Sequence, residues 1–273
     1  MVVQHNLQAM NTNRQLGIIT DAQSKSTEKL SSGYKINRAA DDAAGLAISE
    51  KMRSQIRGLD RASLNAQDGI SAIQTAEGAL NEVHSMLQRM NELATQAAND
   101  TNTSSDRSKI AEELTALGSE IDRVATTTQF NTQNLLDGSF KEKDLQVGAL
   151  SGQVIQIDID EMKLSSIGIE NADLSDVKDN TKAGNVMSKV QSAIDKVSTQ
   201  RSKLGALQNR LEHTIRNLDT TSENTSAAES RIRDTDMAKE MVTYSKNNIL
   251  AQAGQAMLAQ ANQSTQGVLS LLR

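Results

Sequence analysis

Chemistry in a protein is usually carried by histidines, cysteines, paired carboxylates or glycine-rich loops, and this chain of 273 residues offers few of them. It has no cysteine, which removes thiolate nucleophiles, thiolate metal sites and disulfides together. Its three histidines, His5, His84 and His213, stand far apart in sequence. None belongs to an HExxH pattern, so no zinc hydrolase is spelled out. The run Asp158-Ile159-Asp160-Glu161 gathers carboxylates at the end of a predicted strand. It lacks the glycine and the ligand spacing of a calcium loop and reads as solvated charge. There is no glycine-rich phosphate loop and no nucleophile motif. The expectation is a protein that is not an enzyme, with no catalytic residue, cofactor or metal.

The composition points to long helices instead. Only Tyr34, Phe130, Phe140 and Tyr244 are aromatic, and the chain has no Trp and no Pro. A compact globular core usually draws much of its buried area from aromatics. This core must be built from Ala, Leu, Ile, Val and ten Met. Ala, Leu and Met are strong helix formers, and the main helix breaker is missing. The net charge of −5 is mild, with both signs interspersed and no basic stripe to follow a nucleic-acid backbone, so no nucleic-acid partner is expected. No apolar run approaches the roughly 20 residues of a membrane span. The first residues, MVVQHNLQAMNTNRQLGIIT, lack the basic start and unbroken apolar core of a secretory signal. The chain is therefore expected either to stay in the cytosol or to leave by another route.

Hydrophobic spacing then places the elements. Steps of four and three from Ile48 pass through Met52, Gln55, Leu59, Ala62, Ala66, Gly69, Ile73, Ala76, Leu80, Val83, Leu87, Met90, Ala94 and Ala97. Only Gln55 and Gly69 break the pattern, which predicts a helix paired in a coiled coil. At about 1.5 Å per residue it would extend roughly 75 Å. The polar stretch Asn99 to Asp106 reads as a break, with Asp106 placed to cap a second helix carrying Ile110, Leu114, Leu117, Ile121 and Val124. Alternation predicts a hairpin with strands Leu145–Ala149 and Gln153–Ile159 around Ser151-Gly152, the only convincing β-structure. Gly168 to Asn180 reads as a loop. The heptads return at Val186, Val190, Ala193, Val197, Leu204, Leu207, Leu211 and Leu218, and the run Thr220 to Ser230 interrupts them.

The last helix steps through Met237, Met241, Tyr244, Asn248, Ala251, Gln255, Leu258, Asn262, Thr265, Leu269 and Leu272, a seam weakened by four polar residues. The first 30 or so residues are similarly dilute. Such segments are marginal alone in water and are expected to be unstructured in the monomer and helical on assembly. The predicted class is mainly α. It is a long antiparallel coiled-coil helical rod with a small β-hairpin-containing segment, its terminal helices meeting at the end away from the hairpin.

Several segments resemble a known family. EKLSSGYKINRAADDAAGLAISEKMRSQIRGL (Glu28 to Leu59) is similar to the N-terminal region of bacterial flagellin. LGALQNRLEHTIRNL, AAESRIRDTDMAKEM, NNILAQAGQAMLAQANQ and VLSLLR resemble its C-terminal region. The likeness covers about the first 140 and last 90 residues; Lys141 to Thr181 matches loosely, as in short flagellins that keep only the filament-core domains. The resemblance implies an N-terminal inner-core helix over 1–32, a linker over 33–45, and outer-core rod helices with the hairpin over 46–180. It further implies a returning rod helix over 181–220, a linker over 221–234 and a C-terminal inner-core helix over 235–273. It implies polymerisation into an extracellular flagellar filament for motility, export unfolded through the flagellar type III apparatus, and no membrane insertion. Implied partners are further copies of the chain, an export chaperone on the C-terminal helix, and the filament cap and junction proteins. A hook–filament junction protein and a cytosolic coiled-coil scaffold are the alternatives.

Motif alignment with the family assigns sites. Arg89, Glu92 and Leu93 in QRMNELATQAANDTN, with Glu113 in IAEEL, fall where the Toll-like innate receptor reads flagellin. Arg89 and Leu93 are four apart and are expected to share a face; the same residues serve as subunit contacts in the alternative reading. The residues expected to serve polymerisation are Val3, Leu7, Met10, Met257, Leu258, Val268, Leu269 and Leu272. Arg38, Asp41 and Asp42 on one linker are expected to pair with Glu229, Arg231, Arg233 and Asp234 on the other, each exposed pair contributing about 0–1 kcal/mol.

Overall fold

The structure, a computed structural model, describes residues 6–270, with 265–270 as backbone alone. In chain order its elements are α1 (Leu7–Ser32), α2 (Ala43–Ala97), α3 (Ser104–Thr127), β1 (Gln129–Phe130), β2 (Gln133–Asn134), β3 (Lys143–Gln146), β4 (Val154–Ile157), α4 (Leu164–Ile167), α5 (Asn171–Ser175), α6 (Asn180–Arg233) and α7 (Met237–Ser270). Long helices packed on one another dominate, as the sequence predicts, and two small antiparallel strand pairs accompany them, one more than the sequence predicts. The chain divides into a central unit, residues 55–223, and a terminal unit, residues 1–54 with 224–273. Helices α2 and α6 contribute to both.

The central unit follows the heptads. From Leu59 to Ala97 every seam position is buried, whereas Ile48, Met52 and Gln55 before it are not. The seam residues of α2 from Ala66 to Ala97 join Ile110, Leu114, Ile121 and Ala125 of α3 and Val186, Val190, Ala193, Val197, Leu204 and Leu211 of α6 in a dense aliphatic core, while Leu59 and Ala62 pack with Leu218 in a smaller one. One seam position of α6 is polar: Gln200 is buried and its amide nitrogen donates to the Asp158 carbonyl at 3.2 Å. Helix α3 is capped by Thr103 and not by Asp106. Asp106 takes the N3 place, accepting from the Thr103 N–H at 3.0 Å, and the two complete a reciprocal capping box.

The predicted hairpin is present, with its first strand shifted two residues earlier to β3 and its second shortened to β4, paired from Lys143↔Ile157 to Gln146↔Val154. A second pair, β1–β2, was not legible in the sequence. It turns through Asn131 and Thr132, both with φ in the left-handed region (48° and 64°), which suits the tight two-residue hairpin. The stretch expected to be a loop after Gly168 instead forms α5, whose Leu174 is buried.

Helix α6 runs unbroken through the segment expected to interrupt it, so the predicted linker over 221–234 contracts to Asp234–Asp236. From Ala206 to Ala253 the chain has no Gly or Pro, and the hydroxyls of Thr220 and Thr221 fold back on the carbonyls of Arg216 and Asn217. Nothing local stops the helix there.

In the terminal unit α1 and α7 form an antiparallel pair. The Asn6 amide donates to the Ala261 carbonyl at 2.9 Å, and Leu16 lies against Gly254. The described residues of both segments are helical, where the sequence reading expects helix only on assembly. The buried positions of α7 are Asn247, Ala251 and Ala261, with Gly254 and Leu258 half-buried between them. This seam keeps Ala251 and Leu258 of the predicted one but takes Asn247, Gly254 and Ala261 in place of Asn248, Gln255 and Asn262, and Gln255 and Asn262 turn to solvent.

Candidate assembly and recognition surfaces

The pairing of α1 with α7 leaves most of their large apolar side chains in water. Leu7, Met10 and Ile18 on α1 are exposed, as are Met237, Met241, Val242, Ile249, Leu250 and Met257 on α7. Scattered exposed apolar residues are ordinary, but this density on two adjacent helices marks a surface awaiting cover. Of the predicted polymerisation residues, Leu7, Met10 and Met257 lie on it and Leu258 is half-buried. Val3 and Leu272 lie outside the described residues, as do the side chains of Val268 and Leu269.

The two linkers do meet, but not by the expected charges. Gly33, at φ 76°, ends α1 in a left-handed cap that most residues resist. Beyond it Tyr34 bridges Asp234, Lys35 N donates to the Arg233 carbonyl at 2.7 Å, and Thr235 N donates to the Gly33 carbonyl at 2.9 Å. The Arg233 guanidinium lies 4.7 Å from the centre of the Tyr34 ring and pairs with Glu50 at 2.8 Å. That hydrogen bond holds the Glu50 carboxyl below its usual range. Arg38 turns to Glu28 at 3.0 Å, and Glu229 stands 4.0 Å from Arg53. Asp41 accepts from the backbone of Arg38 and Asn37, which lowers its pKa, and Asp42 accepts from Gly45 N at 2.9 Å at the start of α2. The predicted partners Asp41 and Asp42 are thus occupied locally, Arg231 is exposed, and Asp234 joins through its backbone. Sequence reading missed Tyr34 and Glu50; a tyrosine inside a linker of so aromatic-poor a chain was the available signal.

On the central unit, Arg89 bridges two helices. Its guanidinium pairs with Glu113 of α3 at 2.9 Å and with Glu92 at 3.2 Å, and all three side chains are exposed. The Glu113 bond, then the Glu92 bond, raise the Arg89 pKa further. Leu93 does not share this surface. It is 2% exposed, because it sits beside seam position Ala94 and packs into the core. Of the four residues that align with the receptor-reading positions, the structure brings together three and buries one.

The remaining candidates are local. The His84 ring pairs with Gln88 and that of His213 with Arg216, each on its own helix. Asp160 pairs with Lys203 at 3.2 Å and Lys141 at 3.6 Å, and Glu161 with Lys163 at 2.9 Å, so these carboxylates are paired rather than freely solvated. Among the described residues no group of three metal-ligating side chains converges.

A dense core in one unit and a helical pair with exposed apolar side chains in the other make an α-helical protein whose terminal helices offer a surface for packing. Comparison with known proteins gives the family. The description of the bacterial flagellin N-terminal helical region matches residues 3–141, and that of the C-terminal helical region matches 187–272. Flagellin of Halalkalibacterium halodurans is 58% identical over 273 residues, covering all of both chains. The flagellar filament 31.3 kDa core protein of Treponema maltophilum is 48% identical over 286 residues, again covering all of both. Among solved structures, Bacillus cereus flagellin has a TM-score of 0.51 and 32% identity, over 61% of this chain and 94% of that one. The chain belongs to the bacterial flagellin family, whose members are structural subunits of the flagellar filament.

Proposed function

We propose that this chain polymerises with copies of itself into the extracellular filament of the bacterial flagellum, a structural role in motility without catalysis. The observation that carries this reading is the α1–α7 pair with Leu7, Met10, Ile249 and Met257 exposed in the single chain. The chain leaves the cell unfolded through the flagellar type III apparatus, a route compatible with its lack of cysteine cross-links. An export chaperone covers the apolar side chains of α7 beforehand, and cap and junction proteins bound the growing polymer. The test is seeded polymerisation of purified protein, followed by electron microscopy. Long filaments support the reading. A chain that adds once to the seed ends and elongates no further is a junction protein; one that never adds is a scaffold.

A second reading of the unassembled chain follows from Arg89, Glu92 and Glu113. The Toll-like receptor for flagellin binds this exposed cluster, where a bridging arginine makes a plausible anchor. Cells reporting on that receptor should lose response to the Arg89→Ala chain with its fold intact by circular dichroism. An undiminished response overturns this reading.

A further inference from the structure

The methionines of this chain divide by exposure. Met90 and Met162 are buried in the core, and Met52 and Met86 are half-buried. Among the described residues, five are exposed: Met187 on α6, and Met10, Met237, Met241 and Met257 on the terminal pair. The last four are 46–65% exposed. Met10 and Met257 both fall between two of the contacts that join α1 to α7, Asn6 with Ala261 and Leu16 with Gly254. With no cysteine in the chain, the thioether is the most easily oxidised side chain it offers.

We propose that Met10, Met237, Met241 and Met257 are sites of reversible sulfoxidation by peroxide, which blocks assembly of the free chain and which assembly in turn prevents. The inference rests on the filament reading above. In the step, the thioether sulfur attacks hydrogen peroxide. The O–O bond breaks, one S–O bond forms, sulfur is oxidised by two electrons, and the second oxygen leaves as water. The product is polar and chiral where an apolar, flexible side chain stood. Covering a sulfoxide against a neighbouring apolar surface leaves its oxygen without a partner, and each such burial weakens subunit addition about tenfold. The fold of the single chain is spared, because these four side chains make little of its core. Methionine sulfoxide reductases of the two epimer specificities reverse the change.

The experiment treats the full chain with hydrogen peroxide before or after polymerisation, and maps each sulfoxide by peptide mass spectrometry. Free chain should gain oxygen at the four terminal-pair sites well ahead of Met90 and Met162. Its critical concentration should rise at least about tenfold with an unchanged circular dichroism spectrum, and the reductase pair should restore it. Chain oxidised after polymerisation should carry several-fold less sulfoxide at the same four sites. Oxidised chain that polymerises as readily as untreated chain overturns this inference alone, as does a loss that tracks sulfoxide at Met90 or Met162. Untreated chain that does not polymerise overturns the filament reading and this inference with it.

Discussion

Replacing Leu7 with alanine should leave the single chain as stable as before and disable its assembly. Leu7 opens α1 and is 69% exposed. Full burial of a leucine side chain contributes about 1.5–3 kcal/mol, and about two-thirds of it remains to be gained here, so about 1–2 kcal/mol is at stake per subunit contact. At about 1.4 kcal/mol per decade, the critical concentration should rise about five- to thirtyfold. The loss to the isolated chain should stay within about 0.5 kcal/mol, the usual range for a surface substitution. Leu80 is the opposite case: it is fully buried in the core of the central unit, and Leu80→Ala should cost about 2–5 kcal/mol of stability. Urea unfolding followed by circular dichroism reads the stabilities, and sedimentation of seeded polymer reads the critical concentrations. The reasoning is refuted if Leu7→Ala pellets at the unsubstituted concentration, or unfolds as early as Leu80→Ala.

Two glycines of α2 should respond oppositely to alanine. A Cβ on Gly58 would lie 2.9 Å from the Ala149 Cβ and 3.2 Å from its Cα, so the strand-connecting backbone must shift and Gly58→Ala should cost about 1–3 kcal/mol. Nothing lies within 4 Å of such an atom on Gly78, so Gly78→Ala should gain up to about 1 kcal/mol from helix propensity, measured by the same unfolding curves. The Asp137 carboxylate accepts from the Ser139 hydroxyl, the Asn134 amide and the Ser139 N–H, which lowers its pKa from 3.8 to about 2. A depressed carboxyl contributes stability that is present above its unfolded pKa and lost as pH falls through its folded one. Asp137 should therefore titrate near pH 2 by carbon NMR, and Asp137→Asn should flatten the stability loss between about pH 4 and 2. Limited proteolysis of the monomer should cut within α1 and α7 before it enters residues 55–223; early cleavage inside the buried heptads would contradict the contrast between the two units.

What was legible in the sequence was whatever burial writes periodically. From Leu59 onward the heptads of α2 mark buried positions without exception, because each seam residue is aliphatic or small and most positions between them are polar. In α7 the same spacing found Ala251 and Leu258 but missed Asn247, Gly254 and Ala261, which carry no strong hydrophobic signal beside Ile249, Leu250 or Met257. Leu93 misled for a related reason: four residues from Arg89 places it on the same side of the helix, but one residue from Ala94 places it at the edge of the seam. The β1–β2 pair is two residues a side and too short to alternate. The Arg233 contacts with Tyr34 and Glu50 join residues about two hundred apart in sequence, and no local pattern announces them.

The same heptad grammar thus has two outcomes, and the difference is which residues occupy the seam. Around Leu80, Leu87, Met90, Leu114 and Leu204 large side chains face inward and polar ones face water, so the helices of the central unit stabilise one another without help. Helix α7 inverts that assignment. Its seam toward α1 is lined by Ala251, Gly254 and Ala261, and its large side chains Met241, Val242, Ile249, Leu250 and Met257 point elsewhere. Small residues let two helices come close but remove little apolar area from water, and helices in water persist chiefly by what they bury. The terminal pair is therefore held in register by contacts such as Asn6 to Ala261 and Tyr34 to Asp234, while the side chains able to supply most of its stability remain exposed. A chain built only to fold would place those residues on the seam. One built to polymerise gains from leaving them outside, where a neighbouring copy completes the burial.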